Sequence, residues 1–149
     1  MAKTQTRGIR NNNPGNIRKS KDPWQGLAER QTDAAFFVFK SPMYGIRALA
    51  RVLITYQDNK NLRTIKDIIR RWAPQTENDT NAYIISVADA TGFTQDQLLD
   101  MHRFDHLKPL VEAIIRHENG HQPYTNTEIT KGLVLAGVGP RPANLPSTR

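Results

Sequence analysis

Ile114 to Tyr124 read IIRHENGHQPY, and the fold turns on how this stretch is read. It contains His117-Glu118-x-x-His121, the string that in many metallopeptidases sets two imidazoles on one helical face around zinc, with the glutamate as general base. It also reads as the end of an amphipathic helix. Leu107, Leu110, Val111, Ile114 and Ile115 fall on one face at helical spacing. Glu118 follows Ile114 by four residues and Ile115 by three, so it continues that face where an apolar side chain is expected. His117 projects to the rim. A carboxylate on the apolar face is partly desolvated, and Gly120 places it in the last turn, near the negative end of the helix dipole. Both effects favour the protonated acid, which is what general-acid cleavage of a glycosidic bond requires.

The zinc reading lacks the rest of its site. A third protein ligand is needed. The longer zinc-peptidase string would have glycine and histidine where Tyr124 and Thr127 stand, and Glu128 follows too soon to come from a separate helix. Gly120 and Pro123 also break the helix near the second histidine. No metal and no other cofactor is expected. A zinc peptidase or amidase built on His117 and His121 remains the rival.

Working outward, the expected fold class is mainly α, with a small N-terminal β lobe. Residues 1–13 are polar and basic and read as a loosely held arm. Asn11-Asn12-Asn13-Pro14-Gly15 is a dense turn signal. Ala35-Phe36-Phe37-Val38-Phe39 is the clearest strand-like run, so residues 15–40 read as a two- or three-stranded antiparallel element. Ser41-Pro42 opens a helix carrying Ile46, Leu49, Val52, Leu53 and Tyr56. Leu62, Ile65, Ile68, Ile69 and Trp72 form a second stripe, stopped by Pro74. Asp79 or Thr80 caps a third helix that ends at Gly92. Thr94 with Gln97 reads as a capping box for a short helix. Asp105 opens the glutamate helix, with Pro109 in its first turn. Residues 14–131 read as the catalytic domain, and 132–149 as a Gly/Pro-rich tail whose apolar patch can dock on it.

The 149 residues hold no cysteine, which excludes disulfides, thiolate zinc sites and thiol nucleophiles. Twenty-one Lys and Arg against 14 Asp and Glu give a net charge of +7, which favours anionic partners such as a cell-wall polymer or an outer-membrane surface. Basic and aromatic residues do not alternate, so no specific nucleic acid is expected. No window is long and apolar enough for a membrane span. The first residues lack the apolar core of a signal peptide. The expectation is a monomer made in the cytoplasm, acting on the wall after release by other means or carried in a virion.

AIIRHENGHQPY resembles the helix end of lytic transglycosylases and goose-type lysozymes. NNNPGNIR, Trp24-Gln25-Gly26 and FFVFKSPMYGIRALARVL resemble the hairpin region of flagellar-type peptidoglycan glucosaminidases. ENDTNAYIISV resembles their later helix, whose groove-lining tyrosine corresponds to Tyr83. In those families the glutamate helix precedes the hairpin, so the order here implies a circularly permuted lysozyme-like domain. Residues 7–124 also resemble small tailed-phage virion or lysis proteins. These resemblances imply cleavage of peptidoglycan glycan strands between N-acetylmuramic acid and N-acetylglucosamine, by a transglycosylase or a muramidase, with Glu118 as general acid and base. A virion component that keeps the fold without catalysis is a further alternative.

A glycosidase often uses a second carboxylate, and Glu29 is the candidate, ahead of Asp33, Glu77 and the cap Asp79. Asn13 and Asn16 suit N-acetyl groups, with turn-making as the alternative, more so for Asn12. Trp24 suits a sugar ring or the hairpin core. Tyr83 can orient the glutamate or pack beside Ile84 and Val87. Gln122 and Tyr124 can line the groove beyond Glu118. Trp72 closes an apolar stripe and reads as core. His102 and His106 read as surface residues.

Overall fold

Helices dominate the computed structural model, which describes residues 5–75 and 79–140. Six lie among the described residues: α1 (Arg7–Arg10), α2 (Pro42–Lys60), α3 (Ile65–Trp72), α4 (Thr80–Thr91), α5 (Phe104–Asn119) and α6 (Asn126–Leu135). None is long and apolar enough to cross a membrane. The mainly α class agrees with the sequence reading.

Local chemistry sets most helix ends. Ser41 is extended at the N-cap of α2 and Pro42 takes the first helical position. The Thr64 hydroxyl accepts the Asp67 amide and opens α3. The Asp79 carboxylate accepts the Ala82 amide and opens α4, which stops at left-handed Gly92. Helix α5 starts one residue earlier than expected, so Pro109 lies in its second turn, and it stops at left-handed Gly120. Ile46, Leu49 and Leu53 of α2 pack with Ile68 and Ile69 of α3, Tyr83 and Val87 of α4, and Leu110, Val111 and Ile114 of α5 in one core.

The structure departs from the sequence reading in several places. Residue 132 does not begin a tail. Thr125 and Glu128 form a reciprocal capping box that opens α6. Gly132 sits inside this helix because α2 crosses it closely: a Cβ there would lie 2.5 Å from Ile46 Cγ2 and 3.1 Å from the Met43 carbonyl oxygen. Ile129, Leu133, Ala136 and Val138 are buried with it. Residues 94–97 form only a turn, closed by the Gln97 amide on the Thr94 carbonyl at 3.3 Å, and no helix.

Residues 7–13 are not a loose arm. Arg7–Arg10 form a helical turn, and Gly8, Asn11 and Asn13 are buried. Nor is the lobe after them a regular sheet. It holds only two isolated antiparallel bridges, Arg18 with Phe36 and Leu27 with Phe39. The physical reason is that side chains take the place of a ladder. Asn13 Nδ2 donates to the carbonyls of Ile17 (3.0 Å) and Phe37 (2.9 Å), while its Oδ1 accepts the Ile17 amide (2.9 Å). Gln31 bonds both backbone groups of Val38 at 2.8 Å. Asp33 accepts the amides of Ala35 and Phe36. Buried backbone groups are satisfied without long strands.

Asp33 also ties this lobe to α1. Arg7 grips it through Nε at 2.6 Å and Nη2 at 2.7 Å, and Asn11 Nδ2 donates at 3.0 Å. The Arg7 guanidinium first, then Asn11 and the Ala35 amide, hold this carboxyl well below the usual carboxylate range. A depressed folded-state pKa stabilises the fold at pH values above the unfolded value, about 3.9, and that contribution is lost as pH falls below it. Asp33→Asn is expected to melt below the parent at pH 7. The gap should narrow as both are taken below about pH 4, which thermal unfolding across that range reads directly.

Candidate functional site

Helix α5, helix α4 and the turn after Pro14 converge on Glu118. Its Oε1 accepts Asn16 Nδ2 at 3.0 Å, and its Oε2 accepts the Tyr83 hydroxyl at 2.8 Å. Glu118 is partly buried, as expected for a carboxylate continuing the apolar face of α5. The neighbouring Asn119, buried, fastens the helix end to the turn that carries Asn16. Its Nδ2 donates to the Pro14 carbonyl at 2.8 Å and to Ile115 at 3.0 Å, and its Oδ1 accepts the Thr6 hydroxyl at 2.7 Å. Asn16 itself is left-handed, with φ 51°, a conformation asparagine tolerates better than most residues. The turn thus aims the Asn16 amide at one carboxylate oxygen while α4 aims Tyr83 at the other.

Tyr83 is 1% exposed. Its ring stacks on the His117 imidazole, with centroids 3.6 Å apart and planes at 24°. Burial first, and then the Glu118 charge, push the Tyr83 hydroxyl well above its ordinary range. The nearby Trp72 side chain acts against this upward shift. The phenol therefore stays protonated and remains a donor to Glu118. Tyr83 and Asn16 thus hold Glu118 from two sides, one on each oxygen.

Glu118 opens into a groove of about 370 Å³, whose walls include Asn16, Arg18, Phe36, Tyr56 and Trp72. Arg18 lies over the Phe36 ring at 5.1 Å from its centroid, a cation–π contact. A neighbouring cavity of about 500 Å³ shares Val52 and Tyr56 with this groove and is lined further by Trp24, Arg47 and Arg51.

Glu118, Tyr83 and Asn16 are brought together; the other candidates are not. Trp24 lines the neighbouring cavity. Asn13 is fully buried and bonded to backbone, so it builds the lobe. Glu29 is exposed and lines neither cavity. Gln122 Nε2 donates to Glu112 at 3.1 Å, and its Oε1 accepts the Tyr124 amide. Tyr124 packs against the core, where burial pushes its hydroxyl up to about 12. Neither lines the groove. Glu77 lies outside the described residues. The residues that sequence reasoning missed are Trp72, read as core only, together with Asn119, Tyr56, Arg18 and Phe36. His121 stands beyond the Gly120 turn, with Nδ1 3.2 Å from the Asn119 carbonyl, while His117 stacks on Tyr83. The two histidines do not share one helical face, and among the described residues no three His, Cys, Asp or Glu cluster closely enough to hold a metal ion.

Tyr83→Phe keeps the packing and removes the donor. It is expected to leave the fold intact and to lower any Glu118-dependent turnover by about tenfold, the size of one charge-assisted hydrogen bond. Steady-state rates beside a melting curve would separate this from a purely structural loss.

These features define a mainly α-helical protein with one carboxylate held between an asparagine and a tyrosine in an open groove. The chain belongs to the family of Protein P5 from Pseudoalteromonas phage PM2, with which it is 47% identical over 130 residues, covering 85% of this chain and 79% of that one. No family model matches it.

Proposed function

We propose that the protein cleaves the glycan strand of peptidoglycan between N-acetylmuramic acid and N-acetylglucosamine, with Glu118 as acid and then base. The observation that carries this reading is Glu118 itself, partly buried, with both oxygens held by Asn16 and Tyr83 at the wall of an aromatic-lined groove. Glu118, after taking up a proton from solvent, gives it to the bridging oxygen as the sugar C1–O bond breaks. The resulting carboxylate then takes a proton from the nucleophile that attacks C1. That nucleophile is water in a hydrolase, or the muramic acid's own 6-hydroxyl in a transglycosylase. No second carboxylate lines the groove among the described residues, which favours the 6-hydroxyl, because a two-carboxylate hydrolase needs its base nearby.

On this reading the fold is lysozyme-like and permuted, with residues 17–39 as the lobe facing the glutamate helix. The net charge of +7 holds the protein to an anionic wall. Purified peptidoglycan digested with the protein and examined by mass spectrometry tests it. Muropeptides with 1,6-anhydro-muramic ends are the expected products, and reducing muramic ends would make the enzyme a hydrolase. Cut peptides would point to an amidase or peptidase, and an unchanged polymer to a virion component without catalysis.

A further inference from the structure

Arg47 and Arg51 stand four residues apart on α2, on the same helical face, and both line the cavity of about 500 Å³ beside the Glu118 groove. Each spends one donor on the end of α6. Arg47 Nε reaches the Leu135 carbonyl at 3.3 Å, and Arg51 Nη1 reaches Ala136 at 2.9 Å. A guanidinium has five N–H groups, so most of each fork is left for something else. Neither arginine has an ion-pair partner among the described residues. Burial, and then the charge of Arg51, hold the Arg47 guanidinium below its usual value. Adjacent cations on one helix face repel; the α6 carbonyls and the exposed Asp22, which also lines the cavity, offset this only in part. Trp24, Gln25 and Thr55 complete a wall that offers ring surface and neutral hydrogen-bonding groups. The volume is that of a small-ligand site.

Resting on the glycan-cleaving reading above, we infer that this cavity is a subsite for the free carboxylates of the short peptide carried by muramic acid, held by the Arg47–Arg51 pair. Continuity is the reason for choosing this source of anion. Val52 and Tyr56 belong to both cavities. A glycan lying against Glu118 therefore carries its lactyl-linked peptide past Tyr56 and toward the arginines. A carboxylate matches the two-pronged fork of a guanidinium, and the wall leaves room for the small side chains of such a peptide.

The test needs no catalysis. The ¹⁵N-labelled protein is titrated with a synthetic acetylated stem tetrapeptide, with the same peptide amidated at every carboxylate, and with inorganic phosphate. The side-chain signals of Arg47, Arg51 and Trp24 are followed. The free-acid peptide should shift them saturably, and the amidated peptide should bind at least about tenfold more weakly. Arg51→Gln should erase that preference, while Arg51→Lys retains part of it. Equal binding of both peptides would overturn the assignment, as would saturation by phosphate at lower concentration than the peptide. If Arg51→Gln does not fold, the comparison of acid and amide on the parent protein still decides. Failure of glycan cleavage is read separately, from the digest products, and leaves these titrations interpretable.

Discussion

Glu118→Gln is expected to abolish glycan release, with a fall of at least about a thousandfold, while the protein melts close to the parent temperature. A positioned general acid contributes about 10²–10⁴ in rate, and here one side chain serves both proton transfers. Glutamine has the shape of the glutamate but no proton that it can give at a useful rate. It also fits the site. Its carbonyl oxygen can accept Asn16 Nδ2 in place of Oε1, and its amide can face the Tyr83 oxygen once that hydroxyl rotates. The core face below it, Leu110, Val111 and Ile114, is untouched. Loss of activity with an unchanged melting curve therefore separates chemistry from folding. A folded variant that still releases fragments at the parental rate would remove Glu118 from the mechanism.

The part of this site that could be read in advance was the part set by local rules. The helix stripes, Pro42, Asp79, Gly92 and Gly120 mark α2 to α5 closely, because caps and breakers act within a turn. Glu118 stood out because it interrupts a pattern, and a polar residue on an apolar face needs a partner wherever the chain goes. Its partners were harder to read. Asn13 and Asn16 looked alike in the turn, yet one bonds backbone and the other bonds Glu118. An amide side chain takes whichever donors and acceptors the tertiary fold brings to it. The stripe of α3 marks Trp72 as core. It does pack there, but it also lines the Glu118 groove, and periodicity carries no information about a side chain's outer edge.

Composition misled over residues 7–13 and at Gly132. Residues 1–13 read as a loose arm, but from Arg7 on they are ordered, and the asparagine side chains stand in for strand partners. Gly132 looked like the start of a tail, but it marks a close helix crossing. The Thr125 to Glu128 box was visible in the sequence and outweighs that glycine, since α6 buries Ile129 and Leu133 against α2 and α5. Isolated glycine costs a helix only about 1 kcal/mol, less than the burial of two large apolar side chains provides.

Gly45→Ala, in the first turn of α2, is expected to be the most damaging addition of one methyl group, and its sign separates packing from propensity. On propensity alone, alanine in a helix improves stability by about 1 kcal/mol over glycine. At this position a Cβ would run into the Asn12 carbonyl oxygen, and it would lie 2.9 Å from Asn12 C and from Pro14 Cδ. The obstacle is backbone, and it cannot yield easily. Asn12 is left-handed with φ 54°, its Nδ2 is bonded to the Phe39 carbonyl at 3.0 Å, and Asn13 is bonded on both sides of the lobe. Overpacking of this kind costs about 1–3 kcal/mol, which for a chain of this length lowers the melting temperature by roughly 2–12 °C. The turn that must move is the one that carries Asn16 to Glu118. Glycan release should therefore fall even at temperatures where the variant is folded, and the Asn16 side-chain amide signal should shift with it. A variant that melts higher than the parent would mean that α2 and the asparagine turn are not in close contact. The placement of Asn16 would then need another cause.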